Sequence, residues 1–501
     1  MFRKWLILAI VILIYLPVAM DATILHVAAP TLSEALALSN KELLWIIDIY
    51  SLVMAGLILP MGALGDRIGF KRLMIIGSTL FGIASVFAAF SDSAMSLIGS
   101  RALLAVGAAM IIPATLSAIR NTFLEEKQRN FALGIWATVG GGGAAFGPLL
   151  GGAILGHFHW GAVFLINIPV IILVLLMTIF FVPKQKVQTT QNLNLLQALI
   201  LVIAILSIIY ALKTGITVFN WMSITIFVVG FALLVGFIQN QFRSASPMID
   251  FHLFKNRFIS TGIIMAIVAM MALVGFELLI SQELQFVYGY TALEAGLFVL
   301  PFMLAISCGG PIASILVNKF GLRRIATTGI LLSGLSMFGL AYTDFASAQL
   351  QAWGMMILLG MSVQIALLSS TAAIMSSVSP EKAAAAGAIE GMAYELGAGF
   401  GVAFFGLMLS WFYMQSIVMP SDLPQALIPA VSSSIGEAMY VANDMDTSLA
   451  TQIQDNAKAA FTLSHRQVLN TSGILLMILA AYVWLRLPNP HRKDRVVESL
   501  G

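Results

Sequence analysis

The sequence predicts an all-α polytopic membrane protein, with two six-helix bundles and two inserted helices, fourteen transmembrane helices in all. Three observations carry that reading. The 501 residues are 59% hydrophobic and only 10% charged, with a mean hydropathy of +0.96, whereas a soluble globular chain carries about 25% charged residues. Apolar stretches of about 20 residues, enough to cross a bilayer, recur along the whole chain. A charged motif returns once at a fixed distance, which marks two related halves.

The expected spans fall at residues 5–29, 43–64, 72–90, 96–120, 131–156, 161–182, 194–213, 219–240, 257–281, 293–315, 324–343, 350–376, 383–411 and 469–488. The first follows Met1-Phe2-Arg3-Lys4 and imitates a secretory leader. Its apolar run continues to Ala29, past the roughly 7–15 residues of a leader's apolar core, so it is expected to remain as a span. With fourteen spans, 21 of the 26 Lys and Arg lie on the side of the termini and four on the other, with Arg101 inside a span. That asymmetry predicts cytoplasmic termini.

Residues 64–72, Leu-Gly-Asp-Arg-Ile-Gly-Phe-Lys-Arg, are echoed 252 positions later at 316–324 as Leu-Val-Asn-Lys-Phe-Gly-Leu-Arg-Arg. The same offset carries Gly147 onto Gly399, in Gly397-Ala398-Gly399-Phe400-Gly401. Two unrelated features sharing one offset predict homologous halves. The expected organisation is an N-terminal six-helix bundle at 1–190, two inserted helices at 191–250 and a C-terminal bundle at 251–501. The last includes a long outer loop, 412–468, with Pro420, Pro424 and an amphipathic pattern over 435–454. It reads equally as a cap over the outer opening or as a solvated linker.

Residues 140–152 read Gly-Gly-Gly-Gly-Ala-Ala-Phe-Gly-Pro-Leu-Leu-Gly-Gly within one span. Small residues four apart let helix backbones approach closely in lipid, and a proline beside them kinks the helix. Gly143, Gly147, Pro148, Gly151 and Gly152 are therefore expected at a moving interface between the halves.

Acids inside spans are costly and point to function. Asp21, Asp48, Glu277, Glu390 and Glu395 are the candidates for binding substrate or protons. A carboxylate withdrawn from water holds either a proton or a cation, and that competition is the physical basis of antiport. Glu390 and Glu395, five residues apart on a helix, point about 140° apart. Glu34, Glu283 and Glu294 are expected in outer loops. Arg101 stays charged and so needs an acidic partner or a wet cavity, with a role in proton coupling as the functional reading. Between the second and third spans, Gly62, Asp66, Arg67, Gly69, Lys71 and Arg72 form a tight charged turn suited to a conformational latch.

Other chemistry is excluded by what the chain lacks. Its single cysteine, Cys308, permits neither an internal disulfide nor a thiolate metal cluster, and its six histidines are scattered. No nucleophile–base constellation is apparent, so neither an enzyme nor a bound cofactor or metal is expected.

At these residues the chain resembles the major facilitator superfamily, specifically its fourteen-span drug:proton antiporter group. Residues 62–71 match the group's pattern Gly-x-Leu-Ala-Asp-Arg-x-Gly-Arg-Lys, with Gly65 for Ala and Phe70 for Arg. Arg101 and Gly107 match its span 4 pattern. Gly143 to Gly152 match the antiporter signature Gly-x-x-x-Gly-Pro-x-x-Gly-Gly without departure. Residues 20–30 resemble its span 1 pattern, with His26 where Asn is usual. Within the group the chain is similar to quaternary ammonium exporters of the QacA type. The resemblance implies a monomer in the bacterial inner membrane, driven by the proton gradient. It implies export of lipophilic mono- and dications: quaternary ammonium compounds, biguanides, cationic dyes and viologens. Lipid bilayer and protons are the implied partners, and nucleic acid is not. It also implies Asp21 and Asp48 as substrate or proton acids and Glu390 with Glu395 as a span 13 pair. The alternative is a superfamily transporter of another substrate, such as a lipid or a metabolite. The lack of a basic cluster beyond Arg101 argues against an anion.

Overall fold

A computed structural model describes residues 2–183, 195–215, 221–244, 247, 251–377 and 383–487. Among these residues there are helices and turns and no strand. The helices are α1 (Phe2–Ala35), α2 (Asn40–Ile68), α3 (Phe70–Ala89), α4 (Ala94–Thr122), α5 (Glu126–Leu155), α6 (Ala162–Leu165), α7 (Asn167–Phe181), α8 (Leu195–Gly215), α9 (Trp221–Arg243), α10 (Arg257–Gln282), α11 (Ala292–Phe320), α12 (Leu322–Ala341), α13 (Gln349–Met375), α14 (Ala383–Ser416), α15 (Ile428–Ser433), α16 (Ile435–Ala442) and α17 (Thr447–Arg486). A π-helical turn, Glu283–Val287, extends α10.

Local sequence sets several of these boundaries. Ser39, Ser93 and Thr291 each close a capping box, satisfying free backbone donors at the start of α2, α4 and α11. Gly69 joins α2 to α3 with φ 86° and ψ 144°, and Gly321 joins α11 to α12 with φ 87° and ψ 148°. Glycine is needed there, because a side chain is strained at positive φ. The two joints lie 252 residues apart, the spacing of the sequence repeat.

The helix packing repeats in the same way. In the first half α1 lies on α5, α2 and α3 on α4, and α3 on α7. In the second half α10 lies on α14, α11 and α12 on α13, and α12 on α17. The α8–α9 hairpin rests on α2 through α8 and touches α14. The halves meet along α2–α14, α5–α11 and α1–α10. At these seams Gly152 meets Ala292, Gly296 meets Pro148 and Gly406 meets Leu44 toward the membrane side away from the termini, here called distal, while Gly399 meets Leu52 near the middle of α2.

Among the described residues, twelve helices are long and apolar enough to cross a membrane, including α9. The other two expected spans fall on α5 and α8, which contribute shorter apolar stretches, Phe146–Leu155 and Leu196–Ala211. The expected loop 412–468 is corrected by the structure: it holds α15, α16 and the first half of α17. Its 435–454 stretch breaks at residues 443–446 because α16 ends at Ala442 and Asp446 starts α17. α16 buries Ile435, Ala438, Val441 and Ala442 and packs on both α1 and α17. Apolar burial therefore holds this segment against both halves, which a solvated linker would not do.

Candidate functional site

The first half holds its acid in an ion pair. Asp21 on α1 is buried, and Nη1 of the equally buried Arg101 on α4 donates to its Oδ2. Arg101 Nε also donates to the Ile46 carbonyl at 3.2 Å, and the guanidinium lies 4.5 Å from the centre of the Tyr50 ring. The Tyr50 hydroxyl donates to the Val18 carbonyl at 3.3 Å. α1, α2 and α4 thus meet at one charged knot, which satisfies an arginine that cannot shed its proton. Asp48 is buried on the same stretch of α2, between Ile46 and Tyr50.

The second half holds its acids by hydroxyls. On α14, Glu390 is 5% exposed and accepts from Thr371 of α13 and, at 2.9 Å, from the Tyr394 hydroxyl one turn along. Tyr394 and Thr371 hydroxyls are themselves 3.0 Å apart. Glu395 is half-buried and turns the other way: it shares a face of α14 with Gly391 and Gly399, which lie against Ile58 and Leu52 of α2, and the Ser51 hydroxyl of α2 is beside its carboxyl. Neither acid forms an ion pair among the described residues. A hydroxyl donates one hydrogen bond and carries no charge, so both glutamates remain able to exchange a proton for a cation.

A third buried acid lies across the seam between the halves. Glu277 of α10 and His26 of α1 are 3% and 2% exposed, and Oε2 of the glutamate is 3.0 Å from Nδ1 of the histidine. Two turns along α10, Gln285 Nε2 donates to the Val27 carbonyl of α1 at 3.1 Å and to the Ser281 hydroxyl at 3.1 Å. Glu277, Ser281 and Gln285 are spaced by four and so form one polar stripe facing α1.

Several expectations need correction. Glu283 is not in an outer loop: the π-helical turn continues α10, and Glu283 is buried with Oε2 2.8 Å from His465 Nδ1 of α17 and Oε1 accepting from Thr462 at 3.1 Å. This pair borders a distal cavity of about 670 Å³, lined also by Tyr288, Asp344 and Lys458. There, outside the spans, hydrogen bonds from the Ser347 hydroxyl and the Ala346 N–H hold the Asp344 carboxyl below its usual range. Glu34 and Glu294 are exposed, but at the last turn of α1 and the first turn of α11 rather than in loops. The glycine stripe is also corrected. Gly143, Gly147 and Gly151 face α1 of their own half, and a Cβ on Gly147 would meet the Met20 carbonyl oxygen at 2.8 Å. Among the described residues it is the opposite edge of α5 that reaches the other half: a Cβ on Gly152 would come within 2.6 Å of the Ala292 carbonyl oxygen, and the Pro148 carbonyl lies against Gly296. The reason is helical geometry, since Gly151 and Gly152 point about 100° apart.

In the charged turn, Lys71 donates to the carbonyls of Ile179 and Val182 at 2.8 and 2.7 Å, tying α3 to the end of α7 within one half. Arg67 and Arg72 are exposed, Gly62 lies against Pro113 of α4, and the Asp66 side chain lies outside the described residues. Sequence reasoning missed His26 and His465. His26 did carry a signal, as a departure from the usual asparagine. His465 carried none, because it sat in a segment expected to be a loop.

With this geometry in hand, three comparisons are informative. The model of the Major Facilitator Superfamily matches residues 11–402. The chain is 55% identical over 499 residues to the methyl viologen resistance protein SmvA of Salmonella typhimurium, covering 98% of this chain and all of that protein. It is 36% identical over 484 residues to the multidrug efflux pump LfrA of Mycolicibacterium smegmatis, covering 96% of each. Among solved structures, a bacterial homologue of the human lysosomal transporter Spinster superposes with a TM-score of 0.71, covering 96% of each chain. At 18% identity that likeness speaks to the fold alone.

Proposed function

The chain belongs to the Major Facilitator Superfamily, and on that premise we propose that it exports lipophilic cations across the bacterial inner membrane in exchange for protons. It is an integral membrane transporter with drug-resistance and efflux relatives, not an enzyme. The observation that carries the proposal is the pair of α14 glutamates, Glu390 buried and Glu395 half-buried, met by hydroxyls and by no basic side chain among the described residues. A buried carboxylate in that setting is unstable as a bare anion, so it takes a proton or a cation.

In the proposed cycle, Glu395 receives the cation at the seam between the halves, beside Ser51. Glu390 holds the proton on the inner side of the same helix. Asp21 with Arg101 fixes the geometry of the first half and sets the field that the cation meets, and Asp48 and Glu277 complete the acidic lining. The cation leaves on the distal, extracytoplasmic side when the α5–α11, α2–α14 and α1–α10 seams open. Protonation from that side displaces it. The 26 Met and 32 Phe suit varied flat or greasy cargo, because thioethers and rings repack around different shapes. SmvA bears the name of a viologen resistance protein, and we extend that cargo class, with quaternary ammonium compounds and cationic dyes, to this chain.

The test is transport in proteoliposomes with an imposed pH gradient and ethidium or a quaternary ammonium compound as cargo. An opposing proton gradient is expected to drive uphill cation movement. Movement that is indifferent to the gradient would overturn the proposal.

A further inference from the structure

We propose that His26 is a positioning residue for proton coupling: it closes the distal seam by binding Glu277, and the charge of this pair sets when the seam opens. The inference rests on the antiport reading above but names a residue and a step that the reading does not contain.

The geometry comes first. His26 and Glu277 belong to different halves, and their bond spans the α1–α10 contact, so the halves cannot part there without breaking it. The stripe Glu277, Ser281, Gln285 runs from this bond toward the distal end, and Gln285 is partly exposed while Glu277 is buried. A polar line thus leads from the distal surface to the pair.

The surroundings leave Glu277 as the histidine's own partner. The elements packed on α1 are α2, α4, α5, α7, α10, α11 and α16. α7 offers no charged side chain, and those of α5 lie at its proximal start. Asp21, on α1 itself, is held by Arg101 of α4. Asp48 sits on α2. Glu34 and Glu294 are exposed at the distal ends of α1 and α11. Glu437 of α16 accepts from the Asn40 N–H at 3.2 Å. Glu277 is the titratable group bonded to the His26 ring among the described residues.

The charge count then gives the mechanism. A neutral imidazole that donates Nδ1–H to the carboxylate makes a pair of net charge −1. One proton taken up on Nε2 gives imidazolium and carboxylate, net zero, with a stronger charge-assisted bond. A proton arriving from the distal side therefore tightens the seam after the cation has left. Loss of that proton, or approach of a cation to the carboxylate, loosens it. Imidazole is the side chain suited to this exchange near neutral pH.

The test is gradient-driven ethidium transport in proteoliposomes of the native protein, His26→Gln and His26→Asn, from about pH 5.5 to 8.5, a range that brackets ordinary histidine titration. Gln keeps an amide donor beside Glu277 and cannot titrate, so a purely structural histidine is replaced with little change. The expected result is transport in both variants with the pH midpoint moved by at least about one unit, or lost, while ethidium affinity stays within about threefold. Native-like profiles in both variants, at equal reconstituted amounts, overturn the inference. If the variants fail to reconstitute, a cysteine placed at Val27, beside Gln285 at the same seam and with His26 and Glu277 kept, gives a second reading: its labelling is expected to rise with pH and on adding ethidium, and labelling indifferent to both overturns the inference. A native protein that ignores the gradient would refute antiport itself, which separates that failure from this one.

Discussion

The two halves repeat one fold yet treat the acids of α1 and of α14 in opposite ways. In the first half Asp21 is neutralised by Arg101, a side chain that is permanently charged and wholly buried. In the second half Glu390 and Glu395 are met only by hydroxyls from Thr371, Tyr394 and Ser51. The first arrangement is balanced in one charge state and resists change. The second is balanced only when something positive binds. The comparison suggests a division of labour, in which the first half supplies a fixed electrostatic frame and the second supplies the groups that exchange proton for cation.

That division can be broken most sharply at Asp21. Asp21→Asn strands a buried guanidinium, and removing one member of a buried pair costs about 3–5 kcal/mol. The expected outcome is loss of export of most cations together with a large fall in melting temperature of the purified protein. Changing both residues, Asp21→Asn with Arg101→Met, is expected to recover most of the stability and little of the export. A stable single variant with native export would remove Asp21 from the frame.

The second half is expected to answer the other way. Glu395→Gln and Glu390→Gln keep the hydroxyl contacts and remove a charge that has no ionic partner among the described residues. Thermal stability should stay within about 1 kcal/mol, because no ion is stranded, while gradient-driven export falls at least tenfold, more for Glu395 because it faces the opposite half. Equal loss of stability in both halves, read by thermal unfolding, would erase the distinction.

Smaller effects are expected along α5, where neighbouring glycines serve different contacts. Gly147→Ala drives a methyl into α1 of the same half, and overpacking of that kind costs about 1–3 kcal/mol. Gly152→Ala meets the backbone of Ala292 and Leu293 in the other half, so it should prop the distal seam open. Labelling of a cysteine placed at Leu44 is expected to rise in the Gly152 variant and not in the Gly147 variant.

The smallest effect lies outside the membrane, at Glu437. Burial pushes its carboxyl above the usual range, the Ser433 hydroxyl and the Asn40 N–H pull against this, and nearby Glu42 adds to the rise. A raised folded-state value means that the protonated form is favoured by folding, so this contribution is present in acid and lost as pH rises through that value. Glu437→Gln keeps an acceptor without the charge. Its melting temperature should match the native protein in acid and exceed it slightly at neutral pH.

Much of the fold was legible in the sequence because bilayer thickness and loop charge constrain it strongly. The 252-residue offset reappears as two glycine joints with matching backbone angles and as matching helix packing. Pairings were harder to read. His26 and Glu277 are 251 residues apart, and helical periodicity gives a residue's face but not the neighbour that face will meet. The glycine stripe was misplaced for the same reason: spacing showed that some helix packs closely, and only the fold shows that it is α1. Glu283 was missed because its π-helical turn carries the helix past the apolar run, toward a histidine in a segment that looked like a loop.

The central claim is that α14 glutamates exchange protons for cations, and one measurement addresses it directly. Ethidium movement is followed in proteoliposomes of native protein and of Glu395→Gln, with and without an imposed proton gradient. The account predicts that the gradient accelerates the native protein at least tenfold and leaves Glu395→Gln unmoved. A native protein indifferent to the gradient, or a variant that follows it as the native protein does, would contradict the account.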